Sequence, residues 1–223
     1  MSVERRGHSC VVVCPKDSAA GTLVIDPGTW SDTAGALDEA DAVLVTHEHP
    51  DHVDVAAVVA SGLPVWGPAP VVELLTAAGA DPAQIHPVVG GDQIAPAGVP
   101  VRALGEWHEP IHPDAPRFAN VAYLVADRVL HPGDAYVAVP DGTTVDLAFA
   151  PVSGPWLRIS DVVDWVRRVR PRRVVPIHDA LASAAGVTLA LQWIERLCAV
   201  EIVDPGGPVP VGWEESRADR PGR

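Results

Sequence analysis

The residues most able to do chemistry stand together in THEHPDHVD, where His47, His49, Asp51 and His52 fall within six residues. Imidazole nitrogens and carboxylate oxygens are the donors that zinc and its transition-metal neighbours select. The chain holds nine histidines in all, so three in one short stretch concentrate a scarce donor. A solvated polar loop, or histidines paired with nearby carboxylates, is the plain alternative. A metal site needs more ligands, and the chain offers His108 and His112 in GEWHEPIHPDAPRF, Asp134 in HPGD, and His178 followed by Asp179. His108 lies nearer a strand end, where a scaffold fixes position better, but His112 competes for the same role. Asp26 could orient a ligand histidine through its carboxylate, or cap a turn. His131, the first residue of HPGD, precedes Asp134 and could support the ligands from behind. His8 is either a structural histidine or one that supports or lines a pocket.

These residues need elements to position them. HSCVVVCPKD and GTLVIDPG read as two β-rich strands around a turn, with Asp26 ending the second ahead of Pro27-Gly28. DAVLV is a short apolar run between polar residues, the pattern of a buried strand, and the histidine cluster falls just beyond it. DVAAVVASG predicts a short helix stopping at Gly62, with Asp51 near its start as both cap and ligand. LPVWG predicts a strand and PVVELLTAAGA a helix stopping at Gly79. IHPVVGGDQIAPAGVPVRALG predicts strands joined by glycine- and proline-rich turns, with His86 structural.

VAYLVADRVLH predicts a hairpin turning near Asp127-Arg128, and VDLAFAPVSG a further buried strand. ISDVVDWVRRVRP predicts an amphipathic helix capped by Ser160 and ended by Pro171. RRVVPIHDA predicts a strand ending in His178, TLALQWIERLCAV a helix, and EIVDPG a last strand. Strands precede helices in two successive halves, which predicts two sheets with helices outside rather than a Rossmann unit. The phosphate-cradling GxGxxG and GxxxxGK[ST] patterns and the G-x-S-x-G elbow are absent. Residues 1–213 read as one domain, and the charged tail 214–223 as disordered.

A chain of 223 residues is long enough for one well-buried core. Its formal charge of −13, with Lys16 the only lysine, repels long polyanions and disfavours a broad nucleic-acid face. No apolar run is long enough to span a bilayer and MSVERRG is no secretion signal, so the expected location is cytoplasmic. Cys10, Cys14 and Cys198 make no disulfide framework. Cys10 and Cys14 in CVVVC face one side of a strand and read as core. Arg117, Arg128 and Arg158 could each hold a small anion or simply lie at the surface. Trp107 and Trp156 could line an apolar pocket wall or pack in the core.

The ordered set His47-x-His49-x-Asp51-His52, His108, Asp134 in HPGD, and His178 resembles the metallo-β-lactamase superfamily, nearest its compact branch with ascorbate-6-phosphate lactonase-like proteins. The resemblance covers roughly residues 8 to 205. It implies an αββα sandwich with the site at one edge of the paired sheets. It also implies that His47, His49 and His108 bind one metal, that Asp51, His52 and His178 bind a second, and that Asp134 bridges. Five histidines and two aspartates without a thiolate suit zinc first, with manganese or iron admissible. A homo-oligomer is a family-based expectation.

Two divalent ions can acidify a shared water to near neutral pH and polarise a carbonyl or phosphoryl oxygen. Asp51 could hold and orient that nucleophile. The leading expectation is therefore a metal-dependent hydrolase of a small ester, lactone, amide or phosphoester. The competing classes are an iron-dependent oxidoreductase or dioxygenase on the same fold, a phosphodiesterase or nuclease, and a metal-stabilised binding protein without turnover.

Overall fold

Short valine-rich runs set the strands here, and their alternation sets the layers. A computed structural model of the chain describes residues 1–16, 19–203 and 207–211. Among these, one sheet contains β1 (Ser2–Arg5), β2 (Val11–Cys14), β3 (Leu23–Ile25), β4 (Ala42–Leu44), β5 (Val65–Gly67), β6 (Ile85–Pro87) and β14 (Val209–Pro210). The other contains β7 (Gln93–Ile94), β8 (Val101–Leu104), β9 (Ala122–Val125), β10 (Val129–His131), β11 (Leu147–Pro151), β12 (Arg173–Ile177) and β13 (Glu201–Ile202). Their orders are β14-β1-β2-β3-β4-β5-β6 and β13-β12-β11-β10-β9-β8-β7. Both sheets are mixed: β3 to β6 and β10 to β13 run parallel, and the remaining pairs are antiparallel.

Side chains alternate across a strand, so each strand feeds two layers. Val11, Val13, Leu23 and Ile25 of the first sheet meet Tyr123, Leu147, Phe149, Val175 and Ile177 of the second in the central core. Val12 and Val24 point the other way, with Cys10, onto Ala36 of α1 (Thr33–Asp38). Val58 of α2 (Val55–Ser61) and Val71 and Leu75 of α3 (Ala69–Ala77) cover Val43 and Val65. Ala148 and Ala150 give α4 (Ile159–Val169) room to seat Trp165, and Ile194 of α5 (Ala184–Cys198) closes the same layer. Trp165 is fully buried and its Nε1 donates to Val137 O at 2.8 Å, so the indole satisfies its one polar atom. The result is the expected two-sheet sandwich with helices on the outer faces. No helix among the described residues is long and apolar enough to cross a membrane.

Several local expectations change. The charged start forms β1, β14 pairs with it, and α1 was not foreseen. Asp54, not Asp51, caps α2: its carboxylate accepts from Ala57 N, while Asp51 is turned toward the histidines. Ser160 does not cap α4, because the helix already begins at Ile159 with Arg158 at its N-cap. The hairpin between β9 and β10 turns through Ala126 and Asp127, both at positive φ, 50° and 55°, the backbone that tight hairpin turns require. Of EIVDPG, Glu201–Ile202 is strand, and residues 204–206 lie outside the described residues. Residues 214–223 lie outside the described residues.

Candidate metal centre

The site is assembled at the C-terminal ends of strands. Asp26 follows β3, the THEHPDHVD loop follows β4, His108 lies in the loop after β8, Asp134 follows β10, Trp156 lies beyond β11, and His178 follows β12. His8 comes from the turn between β1 and β2. Three of these residues hold positive φ: His8 at 41°, Asp26 at 52° and His178 at 58°. Asp and His tolerate that region better than most side chains, and such strain gathers where position matters more than local comfort. Gly28 serves the same end, since a Cβ there would lie 1.9 Å from Asp51 O, so only glycine lets the metal loop pack down.

Two clusters of donors result, His47, His49, His108 and Asp134 in one and His8, Asp51, His52 and His178 in the other; within each, the candidate ligand atoms lie within 4.8 Å of one another. His47 Nε2 is 3.0 Å from His49 Nδ1. Asp134 reaches both clusters: its Oδ2 lies 3.2 Å from His108 Nε2 and 3.2 Å from His178 Nε2, and its Oδ1 lies 3.3 Å from His52 Nε2.

Hydrogen bonds behind the rings aim them. Thr46 donates its hydroxyl to Asp26 Oδ2 at 2.7 Å, so its oxygen is left to accept from His47 Nδ1 at 3.0 Å. Asp26 also accepts from Thr46 N and from His52 Nδ1, each at 2.7 Å. His108 Nδ1 donates to Glu109 O at 2.5 Å. These bonds occupy Nδ1 of each ring and turn Nε2 to the centre, where it can serve a metal once unprotonated, the carboxylate–histidine arrangement of metal sites. Asp134 is positioned by Asn120, whose Oδ1 accepts from Asp134 N at 2.9 Å, and by Trp156, whose Nε1 donates to Asp134 Oδ2 at 3.1 Å.

The electrostatics divide the clusters. Burial holds His47 well below the ordinary histidine value, and burial followed by His108 lowers His49. Burial also pushes His52 and His178 down, but carboxylates outweigh it. Asp134 and Asp26 lift His52 well above normal, and Asp134 with Asp51 lifts His178 to about 9. Burial pushes the two aspartates up and is itself outweighed, for Asp51 by hydrogen bonds from His178 and His8, and for Asp134 by His52, His108 and His178. Both carboxylates are therefore ionised. Buried carboxylates surrounded by nitrogen lone pairs call for positive charge.

The orphaned atoms point the same way. His52 Nε2 and Asp134 Oδ1 are buried without a hydrogen-bond partner, although they face each other at 3.3 Å. A cation between them would satisfy both lone pairs. Imidazole and carboxylate donors without thiolate fit two divalent ions of the zinc, manganese or iron kind.

Other candidates fall elsewhere. His112 is at the surface, its side chain 65% exposed and 3.6 Å from Asp114, so it does not compete with buried His108. His131 is buried behind the site, with Nε2 2.8 Å from Ser9 O and Nδ1 accepting from Gly133 N, and it touches no ligand directly. Arg128 pairs with Asp146, and Arg158, 83% exposed, pairs with Asp161, so neither grips a ligand in the centre. Arg117 stacks over Trp107 with 4.1 Å to the ring centroid. Trp107 is exposed, whereas Trp156 is buried and bonded to Asp134. His86 stacks on Trp66, away from the centre. Thr46 and Asn120 were missed from sequence. Each is one ordinary polar residue at a strand boundary, without spacing that singles it out.

A family profile described as "Beta-lactamase superfamily domain" matches residues 2–178. Protein Rv0786c of Mycobacterium tuberculosis is 39% identical over 196 residues, covering 82% of this chain and 86% of that protein. UPF0173 metal-dependent hydrolase TTHA1283 of Thermus thermophilus is 28% identical over 192 residues, 80% and 83% of the two chains. Among solved structures, Igni18, a metallo hydrolase from Ignicoccus hospitalis, superposes with a TM-score of 0.67 at 20% identity over 93% of this chain and 97% of that one. With two histidine–aspartate clusters at the strand ends of a two-sheet sandwich, the chain belongs to the β-lactamase superfamily, in its metallo-β-lactamase fold.

Proposed function

We propose that the protein is a dinuclear metal-dependent hydrolase of a small molecule, with His47, His49 and His108 holding one ion, Asp51, His52 and His178 the other, and Asp134 bridging. The observation that carries this reading is the reach of Asp134, whose two oxygens lie 3.2–3.3 Å from His108, His178 and His52 at once. A carboxylate so placed is suited to two cations and poorly suited to one. The family's metal-dependent hydrolase relative supports the same class. Zinc is the preferred ion, with manganese or iron compatible with the donors. The substrate is a small ester, lactone, amide or phosphoester, and a cytoplasmic location goes with the reading.

A bound metal pair supplies acidified water and electrophilic pull on a carbonyl or phosphoryl oxygen. The chain's own residues do the rest. Asp51, ionised and part-exposed at the mouth, orients the attacking water and accepts its hydrogen bond. Asp26 and Thr46 hold His52 and His47 in the tautomers that face the centre. Trp156 closes one side and keeps Asp134 from turning, through a bond to its Oδ2.

Reconstitution followed by metal analysis tests the proposal. Two equivalents of metal per chain are expected, together with hydrolysis in a panel of lactones, esters, amides and phosphoesters. Asp134→Asn should lower occupancy and hydrolysis together, and His112→Ala neither. Well under one equivalent, or an Asp134→Asn protein with unchanged activity, would defeat it.

A further inference from the structure

We infer that the opening over the metal pair takes an uncharged substrate carrying an apolar group, with Trp30 and Phe118 as the side chains that select it. This rests on the dinuclear reading above. Of the residues assigned as ligands there, His47, His52, His108, Asp134 and His178 are buried, and only His49 and Asp51 are part-exposed. Solvent, and therefore substrate, meets the pair across those two residues.

An aromatic ring stands beside His49, and another lies against His8, the hydrogen-bond partner of Asp51. Phe118, itself part-exposed, lies edge-on to His49 with ring centroids 4.5 Å apart. Trp30 lies edge-on to His8 at 5.0 Å, and His8 Nε2 is 3.1 Å from Asp51 Oδ2. Trp30 is 47% exposed, and Leu181, 57% exposed, follows the Ala180 whose N–H holds His8. Single exposed apolar residues are ordinary. The weight lies in the placement of Phe118 against His49 and of Trp30 against the histidine that holds Asp51. Flat rings there offer apolar contact to whatever part of the substrate extends beyond the reacting bond.

The arginines flanking the site are engaged elsewhere and offer an anionic tail no partner. The bridge between Trp107 and Ala119 and the His108 N–H bond to Phe118 O make residues 107–108 and 118–119 an extended antiparallel pair. Alternation along such a pair turns His108 and Phe118 to one face and Trp107 and Arg117 to the other. Arg117 accordingly lies over the Trp107 ring, away from the ligands. Arg5 is held by Asp179 at 2.8 Å. Glu48, between His47 and His49, is the part-exposed charged residue in the loop itself, and it is acidic.

The test is calorimetric binding of three hydroxamic acids to the metal-loaded protein: acetohydroxamic acid, benzohydroxamic acid, and the monohydroxamic acid of succinic acid. All carry the same metal-binding head, and only the tail differs. The aryl compound should bind at least about tenfold more tightly than the acetyl compound, the step expected from burying one ring face. The carboxylate tail should bind no better than acetyl. Trp30→Ala and Phe118→Ala should each shrink the aryl-to-acetyl ratio while metal stoichiometry stays the same. Equal affinity for aryl and acetyl, preference for the carboxylate tail, or a ratio untouched by both variants overturns the inference and leaves the dinuclear reading standing. A protein carrying two metals that binds none of the three also overturns the inference, whereas well under one equivalent of metal defeats the dinuclear reading, and the inference falls with it.

Discussion

His8 meets Asp51 as a hydrogen-bond donor. Its Nδ1 accepts from Ala180 N at 3.3 Å, which leaves the ring proton on Nε2, 3.1 Å from Asp51 Oδ2. Burial lowers the His8 pKa, in keeping with a neutral ring of one tautomer. Its place in the second donor cluster therefore does not make it a ligand: a metal on Nε2 would need the proton moved to Nδ1, against the Ala180 N–H.

The consequence can be measured at the second ion. His8→Ala should weaken the second equivalent of metal by about 10–100-fold, the usual cost of losing a group that orients a ligand, with the first equivalent little changed. His8→Gln, whose amide N–H can replace the donor, should recover much of the loss. Stepwise calorimetric titration, with the absorption of the cobalt-substituted protein as a second readout, checks it. A glutamine variant as weak as the alanine variant, with an altered cobalt spectrum, would make His8 a ligand.

Asp26 is fully buried and accepts three hydrogen bonds, from Thr46 N, Thr46 Oγ1 and His52 Nδ1, each at 2.7 Å. Asp26→Ala strands all three donors at once. It should cost about 3–5 kcal/mol, as for breaking a buried charged pair, and should leave His52 free to turn. Asp26→Asn keeps the size and tolerates the positive φ, so it should fold and still bind metal more weakly. Denaturant midpoints together with metal titration separate the two effects. Wild-type metal affinity in Asp26→Asn would refute the orienting role.

The pH dependence of metal uptake follows from two raised histidines. Without metal, His178 at about 9 and His52 well above normal hold protons at neutral pH. A metal ligand must be unprotonated, so uptake expels them. Affinity should rise with pH through neutrality and level off once His178 titrates, by up to about tenfold per unit for each proton displaced. For stability of the metal-free chain the sign is opposite. Raised pKa values stabilise fully below the unfolded value of about 6.5, and the contribution is lost as pH climbs through the folded value. Calorimetry in buffers of different ionisation enthalpy counts the released protons, and metal affinity flat from about pH 6 to 8 would contradict the assignment.

Two glycines separate steric from conformational need. At Gly28 an added Cβ would lie 1.9 Å from Asp51 O and 2.5 Å from His52 N, so Gly28→Ala must push the metal loop away. Loss of metal binding beyond any loss of stability is expected. At Gly62, the C-cap of α2, φ is +65° and nothing lies within 4 Å of a Cβ. Gly62→Ala should cost about 1–2 kcal/mol of stability and leave metal stoichiometry at wild type. Thermal melts and metal analysis of both variants decide it.

The donor types and the two-sheet layering are legible in the linear chain. Donor identity is a local property, and apolar runs such as DAVLV and VDLAFAP state which segments must be buried as strands. The strand ends expected before His47, Asp134 and His178 are where the structure has them. His108 and His112 are told apart by the fold, which puts one in a donor cluster and the other at the surface. Both sit in one polar loop, and it is the pairing of Trp107 with Ala119 that turns His108 inward and leaves His112 in water. The fold also decided the roles of His8, Thr46, Asn120 and Trp156, whose partners lie 43, 20, 14 and 22 residues away in Asp51, Asp26, Asp134 and Asp134. Hydrogen bonds that aim a ligand are contacts between elements, and a linear pattern carries no record of which strand ends the fold will bring within 3 Å of each other.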